Sequence, residues 1–505
     1  MLNDKMIEVD STLVPIENER NLLGVIRKAG IELPTLCYNT DLSIYGACRM
    51  CMVEDENGRL MAACSTPPKP GMKIHTNTAR LRHYRRNILE LLLASHCSDC
   101  TTCPNGANCR LQLLAKRFHI KTPRFEDTRE KMYLDDSSPC IIRDPEKCIL
   151  CGDCVRVCKE IQNIGAIDFA NRGSRARIST AFDMPLVKTN CVGCGQCAQV
   201  CPTGAIVQQD NCLDTWEMID DPEAFVTCEI APAVRVAIGH SFGLPEGENA
   251  MGRIVSALHR IGFDEVYDTT TGADLTTIEE ANEFLERLEK GENLPLFSSC
   301  CPAWVKCAEN KYPELLPNVS SCKSPMQMFS AVIKAHYRNH LPEGKTKHYH
   351  IAIMPCTAKK MEGKRPEFTK NGEPYVDGVL TTRELSKMIR ESGIVFEECL
   401  PEAVDMPFGT YSGAGVIFGV TGGVTEAVLR KVVQDGSRAS LASIAYSGVR
   451  GLEGVKETYI QLGDRELHIG VVSGLKNASD LIEQIKSGEK KFDLVEVMAC
   501  PGGCI

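Results

Sequence analysis

Cysteine constrains this chain more than any other residue: there are 27, with 18 before residue 213 and nine in the 293 residues after it. Their spacings are short and repeated, which in a reducing compartment suits metal ligation better than disulfide pairing. The asymmetry divides the 505 residues into a cysteine-rich N-terminal part and a longer part with few. That length exceeds one hydrophobic core and points to roughly three or four domains of ~150 residues, which excludes a small disulfide-stapled scaffold. With 57 Lys and Arg against 66 Asp and Glu, the net charge is -9, so nucleic acid is not expected as a partner. No apolar run reaches ~18 residues, and the opening MLNDKMIEVDSTLV lacks the basic and apolar regions of a signal peptide. The chain reads as cytoplasmic, without a membrane partner.

Residues 1–78 hold short β-type stretches (MIEVD, STLVPI, RLMAAC, MKIHT) around one amphipathic helix, NLLGVIRKAG, the outline of a small β-grasp-like domain. Cys37, Cys48, Cys51 and Cys64 follow C-x10-C-x2-C-x12-C, with Gly46 and Ala47 keeping the backbone small. Four thiolates on one loop and a returning strand suit a [2Fe-2S] cluster of the longer-loop type. A structural zinc is the competing reading and fits less well, because zinc sites usually come as two short cysteine pairs.

In residues 79–125 the stretch ARLRHYRRNILELLLASH predicts a helix with Ile88, Leu91 and Leu92 on its apolar side and arginines opposite. It delivers His96, followed by Cys100, Cys103 and Cys109, a spacing similar to the His-ligated [4Fe-4S] site of complex I-like and hydrogenase subunits. Cys97 falls outside that spacing. Residues 126–212 carry the strongest local signal, CILCGDCVRVCKE and CVGCGQCAQVCPTGAI, each C-x2-C-x2-C-x3-C. In the bacterial two-cluster ferredoxin run the fourth Cys of each run serves the other cluster. One [4Fe-4S] should therefore use Cys148, Cys151, Cys154 and Cys201, and the other Cys191, Cys194, Cys197 and Cys158.

Residues 213–505 alternate apolar strands and amphipathic helices, including FVTCEIAP, RIVSALHRIG, HYHIAIMPC, LHIGVVSG and FDLVEVMAC, which argues for an α/β domain with sheets covered on both faces. Ligands in open α/β sheets sit at the carboxyl ends of strands, so FSSCCPAW, IMPCTAKK and EVMACPGGC are expected to converge on one buried site.

Those three stretches resemble the signature loops of the [FeFe]-hydrogenases: Ser298 to Trp304 is similar to TSCCPxW, Met354 to Glu362 to MPCxxKxxE, and Glu496 to Cys504 to ExMxCPGGC. The order of the N-terminal cysteine clusters is similar to that of the larger, ferredoxin-linked members. The resemblance implies a multidomain α+β and α/β chain: a β-grasp [2Fe-2S] domain, a His/Cys3 [4Fe-4S] domain, a two-cluster ferredoxin domain and a two-lobed H-cluster domain. It implies one [2Fe-2S] and three accessory [4Fe-4S] clusters, and an H-cluster, a [4Fe-4S] cubane joined to a diiron azadithiolate unit with CO and CN ligands. Cys301, Cys356, Cys500 and Cys504 would hold the cubane, and Cys504 would bridge to the diiron unit. Lys359 and the backbone of Ala231 and Pro232 would face the cyanides, with Met354 and Met498 as polarizable neighbours. Cys300 would pass protons, from a path through Glu280, Ser320, Glu283 and Arg287. Independently, Glu280, Glu283 and Arg287 share one face of IEEANEFLERLEK, although spacing alone reads that face as a solvated charged one with an i,i+4 pair.

Two departures from the family pattern stand out. Met326 occupies a position where some relatives carry a Gln that hydrogen-bonds a cyanide, and the sequence stops at Ile505 where members continue through a glycine-rich stretch and further helices, so a truncated chain is expected. The implied activity is reversible reduction of protons to H2 by electrons from reduced ferredoxin or a similar carrier, in a protein that maturases load. Two alternatives are the catalytic subunit of an NADH-linked electron-bifurcating complex with flavoprotein partners and a non-catalytic iron-sulfur assembly scaffold. The scaffold relatives lack Cys300 and the accessory set. GAGVIFG at 413–419 opens no recognisable βαβ unit, so any NAD(H) chemistry belongs to a partner. Subtraction leaves Cys97, Cys140, Cys212, Cys228, Cys307, Cys322 and Cys399 without a cluster role, with Cys228 a candidate to line the diiron cavity.

Overall fold

The computed structural model describes residues 5–106, 108–126, 129, 131–433 and 454–505. Two compact units emerge: one from Met1–Glu160, Gly165–Thr189 and Gln196–Gln208, the other from Ile161–Ile164, Asn190–Gly195 and Gln209–Ile505. No helix among the described residues is long and apolar enough to cross a membrane.

The smaller unit begins with β1 (Met6–Val9), β2 (Thr12–Pro15), α1 (Leu22–Lys28), β3 (Met52–Asp55), β4 (Leu60–Ala62) and β5 (Lys73–His75). They form one sheet in the order β2-β1-β5-β3-β4. Strand β1 alternates, burying Ile7 and Val9, and α1 buries Leu22, Leu23, Val25 and Ile26 in the same core. Asn21 starts α1 by accepting from the Gly24 amide (3.1 Å), which satisfies a donor the helix itself cannot. Strand β3 was not among the stretches expected from sequence, because MVED buries two adjacent apolar residues and shows no alternation.

Next come α2 (Ala79–Ala94), α3 (Arg110–Arg117), β6 (Ile141–Arg143), α4 (Asp153–Arg156), the hairpin β7 (Asp168–Ala170) and β8 (Arg177–Ser179), α5 (Gln196–Val200) and β9 (Ile206–Gln208). Helix α2 lies where expected, but its buried face is Leu81, Arg85 and Leu89, and Leu91 is 54% exposed. The sequence reading placed the arginines outside. Arg85 is inside because three carbonyls accept from it, which removes the cost of burying an unsatisfied guanidinium. Strands β6 and β9 pair antiparallel from Ile141↔Gln208 to Arg143↔Ile206.

The larger unit contains α6 (Cys212–Ile219), β10 (Ala224–Ile230), α7 (Val234–Ala237), α8 (Met251–Ile261), β11 (Glu265–Asp268), α9 (Thr270–Lys290), β12 (Leu296–Phe297), α10 (Pro302–Lys311), α11 (Pro325–Tyr337) and β13 (Lys347–Met354). It continues with α12 (Ala358–Gly363), β14 (Thr369–Lys370), β15 (Glu373–Pro374), β16 (Gly378–Thr381), α13 (Thr382–Glu391), α14 (Gly413–Val416), α15 (Gly423–Val432), β17 (Val455–Leu462), β18 (Arg465–Ser473), α16 (Leu475–Lys486) and β19 (Leu494–Met498). Two four-stranded sheets result, β11-β10-β13-β16 and β12-β19-β18-β17. The first is parallel throughout, and in the second only β17–β18 is antiparallel. Strand β10 is buried at every residue, as a parallel strand covered on both faces should be. Parallel pairing brings the carboxyl ends of β10 and β13 to one edge of the first sheet and those of β12 and β19 to one edge of the second. The cysteine loops begin at those edges.

Candidate metal centres

Three loops bring four cysteines together in the larger unit. Cys301 follows β12 and caps α10, whose first residue is Pro302, and its sulfur accepts from the Ala499 amide (3.4 Å) just beyond β19. Cys356 lies between β13 and α12, and Cys500 and Cys504 flank the Pro501-Gly502-Gly503 turn. Gly503 has φ +99°, and a Cβ there would meet Thr421 Oγ1 at 2.5 Å, so the turn closes on the 420–423 loop only with glycine. Val420 and Gly503 form a β-bridge at that point.

The thiols are close enough to oppose one another's ionisation. Burial, then Cys301, pushes Cys356 up to about 11. Cys504, though solvent-exposed as a residue, is pushed well up by desolvation and then by Cys500, Cys356 and Cys301. Four thiols in a setting that penalises the thiolates of Cys301, Cys356 and Cys504 fit a multiply charged iron cluster, whose cations make up what one lysine cannot.

That lysine is Lys359, whose Nζ donates to Cys300 O (3.2 Å) and pairs with Glu362 Oε2 at 2.7 Å. Burial works against its charge, yet Glu362 and the thiols of Cys356 and Cys300 hold it protonated. Glu362 was not singled out from sequence; its i,i+3 offset from Lys359 on α12 was the available signal. Met498 packs with Ala273, Phe418 and Val424 against Cys300 and Cys301. Met354, Met326 and Ala231 share the core of the first sheet, Ala231 N donates to Ile353 O (3.0 Å) and Pro232 is half-buried. Cys228 lies in that same apolar core.

A polar chain leads from Cys300 outward. Glu280 on α9 is 1% exposed, and burial lifts its carboxyl to about 8 while Ser320 opposes the shift. Glu280 and then Cys301 and Cys504 act on Cys300 after desolvation and Glu496, all of them raising it. Ser320 Oγ donates to Glu283 Oε2 (3.0 Å), and Arg287 pairs with Glu283 Oε1 at 2.5 Å. Arg287 also donates to Asn293 O, Pro317 O and Val319 O. This face of α9 is therefore covered by the 313–321 stretch, which helical spacing could not reveal. Glu283 and Arg287 reach a surface cavity of about 700 Å³ that Ser321 and Cys322 also line. Glu496, unremarked from sequence beyond its place in a motif, is fully buried and accepts from the Gly422 (2.7 Å) and Thr425 (2.8 Å) amides at the start of α15.

The smaller unit gathers the other thiols. Cys48 N donates to Cys37 Sγ (3.3 Å) and Leu36 N to Cys48 Sγ (3.4 Å), and in each of the pairs Cys37–Cys48 and Cys51–Cys64 one thiol's ionisation opposes the other's. All four act on one another, as a single [2Fe-2S] donor set would. His96 is half-buried, its ring bonds the Lys147 backbone, and its Nδ1 has no protein partner among the described residues. Burial keeps it neutral, the state a metal ligand needs. Cys109 is raised by burial and then by Cys103 and Cys100, and a Cβ on Gly204 would meet Cys103 Sγ at 2.6 Å. Cys148, Cys151, Cys154 and Cys201 line one small cavity, with burial lifting Cys148 to about 11. Cys158 and Cys197 also belong to this unit, whereas Cys191 and Cys194 lie in the larger one. There Thr357 Oγ1, next to Cys356, donates to Gly193 O (2.8 Å).

Comparison with known proteins gives four family matches. Residues 224–505 match the iron only hydrogenase large subunit, C-terminal domain; 6–79 a 2Fe-2S iron-sulfur cluster binding domain; 85–124 the NADH-ubiquinone oxidoreductase-G iron-sulfur binding region; and 147–205 a 4Fe-4S dicluster domain. The NADP-reducing hydrogenase subunit HndD of Solidesulfovibrio fructosivorans is 42% identical over 99% of this chain and 87% of its own. Iron hydrogenase 1 of Clostridium pasteurianum is 36% identical over 99% of this chain and 88% of its own. A solved [FeFe]-hydrogenase structure from Chlamydomonas reinhardtii superposes with a TM-score of 0.51 at 37% identity, covering 59% of this chain and 83% of that one.

Proposed function

The chain belongs to the iron-only, or [FeFe]-, hydrogenase family and is an enzyme of it, and on that premise we propose that it interconverts protons, electrons and H2 at an H-cluster. Cys301, Cys356, Cys500 and Cys504 would hold the H-cluster, which maturases would install. The observation that carries this reading is the meeting of those four thiols beside Cys300 and Lys359. When bound, the H-cluster supplies the iron at which protons and electrons combine. The chain supplies the rest: Lys359, held by Glu362, would offer its charge to the cyanides, and Met354, Met498 and the Ala231-Pro232 backbone would pack around the group. Cys300 exchanges protons with the site, and Glu280, Ser320, Glu283 and Arg287 exchange them with solvent.

The ligand sets named above would hold one [2Fe-2S] and three accessory [4Fe-4S] clusters and supply electron-transfer chemistry, in a β-grasp domain (1–78), a His/Cys3 domain (79–125) and a two-cluster ferredoxin domain (126–212) that precede the two-lobed catalytic domain (213–505). The Thr357–Gly193 hydrogen bond joins the loop of Cys194 to that of Cys356, a short covalent and hydrogen-bonded step between an accessory cluster and the cubane. The donor is reduced ferredoxin or a similar carrier. A relative named as an NADP-reducing hydrogenase subunit favours a second reading, in which this chain is the catalytic subunit of a complex whose flavoprotein partners handle the nicotinamide.

The test is to express the protein with its maturases, record infrared spectra in the CO and CN stretching region, and assay H2 from reduced ferredoxin. CO/CN bands with H2 evolution from the single chain support the ferredoxin reading. Bands with activity on an artificial viologen donor only, and flavin subunits retained on purification from the native host, support the complex. Full iron loading with neither bands nor H2 would sink both.

A further inference from the structure

Arg85 sits on α2, beyond the [2Fe-2S] domain in sequence, yet its side chain is inside that domain. It is 4% exposed, and its guanidinium donates to Met50 O (Nε, 3.1 Å), Met52 O (Nη2, 2.7 Å) and Thr76 O (Nη2, 2.8 Å). Met50 and Met52 flank Cys51, so two of the three bonds grip the peptide that carries a cluster ligand. No carboxylate pairs with Arg85 among the described residues. Asp10 lines the surface cavity that Arg85 floors, but its carboxylate is taken by the Thr76 amide and hydroxyl. Arg117 lines it as well and pairs with Glu32. The carbonyls satisfy the donors without neutralising the positive charge, and Asp10 acts on it through space without an ion pair. Burial draws the guanidinium down to about 10, so it remains charged at neutral pH.

We propose that Arg85 is a positioning residue for the [2Fe-2S] cluster, clamping the Cys51 loop from the neighbouring helix and raising the cluster's reduction potential with its buried, unpaired charge. The inference rests on the reading that Cys37, Cys48, Cys51 and Cys64 hold this cluster. Reduction adds a negative charge to a centre already ringed by four thiolates, and a cation hydrogen-bonded to the peptides on both sides of one ligand stabilises the reduced form more than the oxidised. Partners of this kind tune a metal as its ligands do, and a buried charge escapes most salt screening. A lysine would keep the charge but not the planar fork that reaches three carbonyls.

The test is a potentiometric titration of the intact chain followed by EPR of the [2Fe-2S] signal, for the parent, Arg85→Gln and Arg85→Lys. Arg85→Gln is expected to shift the midpoint to more negative potential by the same amount in low and high salt. Arg85→Lys should stay at the parental midpoint, and the [4Fe-4S] signals should not move in either variant. If Arg85→Gln fails to load the cluster, Arg85→Lys decides: a loaded Lys variant far below the parental midpoint refutes the charge argument. A parent lacking any [2Fe-2S] signal overturns the ligand reading and the inference with it, whereas a parental signal unmoved in Arg85→Gln overturns the inference alone.

Discussion

Cys300 and Cys301 are neighbours with the same side chain and different proposed tasks, and what surrounds each sulfur differs. Cys301 accepts from Ala499 N, while Cys300 lies under the influence of Glu496 and Glu280 and carries Lys359 on its carbonyl. Serine is nearly isosteric with cysteine but a far weaker acid, so Cys300→Ser should leave the H-cluster assembled by infrared spectroscopy and cut H2 evolution by at least ~10²-fold. Wild-type turnover in that variant would send the proton entry elsewhere. Glu280 allows a sharper measurement. Its carboxyl is held at about 8 by burial, above its ordinary value of 4.5, so it is neutral at pH 7. Its contribution to stability is complete below the ordinary value and is lost as pH rises through about 8. A protonated-carboxyl infrared band should therefore titrate away near pH 8 in the parent and be missing from Glu280→Gln, with activity in that variant down by ~10²-fold or more. A band that survives in Glu280→Gln belongs to another group.

Strand ends and the turns beyond them turn separate residues into a site. The CPGGC turn can meet the 420–423 loop because Gly503 adopts φ +99° and has no Cβ to collide with Thr421. Gly503→Ala must add that Cβ and force a left-handed backbone, a penalty on the order of 1–3 kcal/mol before any clash is counted. The expected outcome is loss of the H-cluster iron with the accessory clusters retained, read as iron content and EPR of the purified variant. Cubane signals of parental intensity in Gly503→Ala would show that the turn tolerates the side chain. Helix α9 shows where element-level reading of sequence stops. The i, i+3, i+7 spacing of Glu280, Glu283 and Arg287 was visible, but whether the face was wet depended on the 313–321 stretch folding over it, a contact between segments about 35 residues apart that no local pattern encodes.

Across the whole molecule the proposed ligand sets take up 19 cysteines and His96, and they would require about 18 irons per chain before the diiron unit is installed and about 20 after. Iron near eight per chain, without ferredoxin-type EPR signals, would remove the accessory relay. Much of this was legible in the sequence because cluster ligation is local: the thiols of Cys148, Cys151 and Cys154 must come from one short loop, so their spacing is the site. The order of the cysteine clusters and the three cysteine loops followed for the same reason, and the α/β alternation after residue 213 followed from apolar periodicity. Other features were decided only by tertiary structure. Arg85 could be buried because carbonyls from two other segments satisfied it, Glu362 mattered because Lys359 lay beside Cys300, and Glu280 stayed protonated because apolar packing made its charge costly. A ligand is specified by its chemistry and its neighbours in the chain, whereas the burial, charge and protonation of a side chain are set by whatever the fold packs against it.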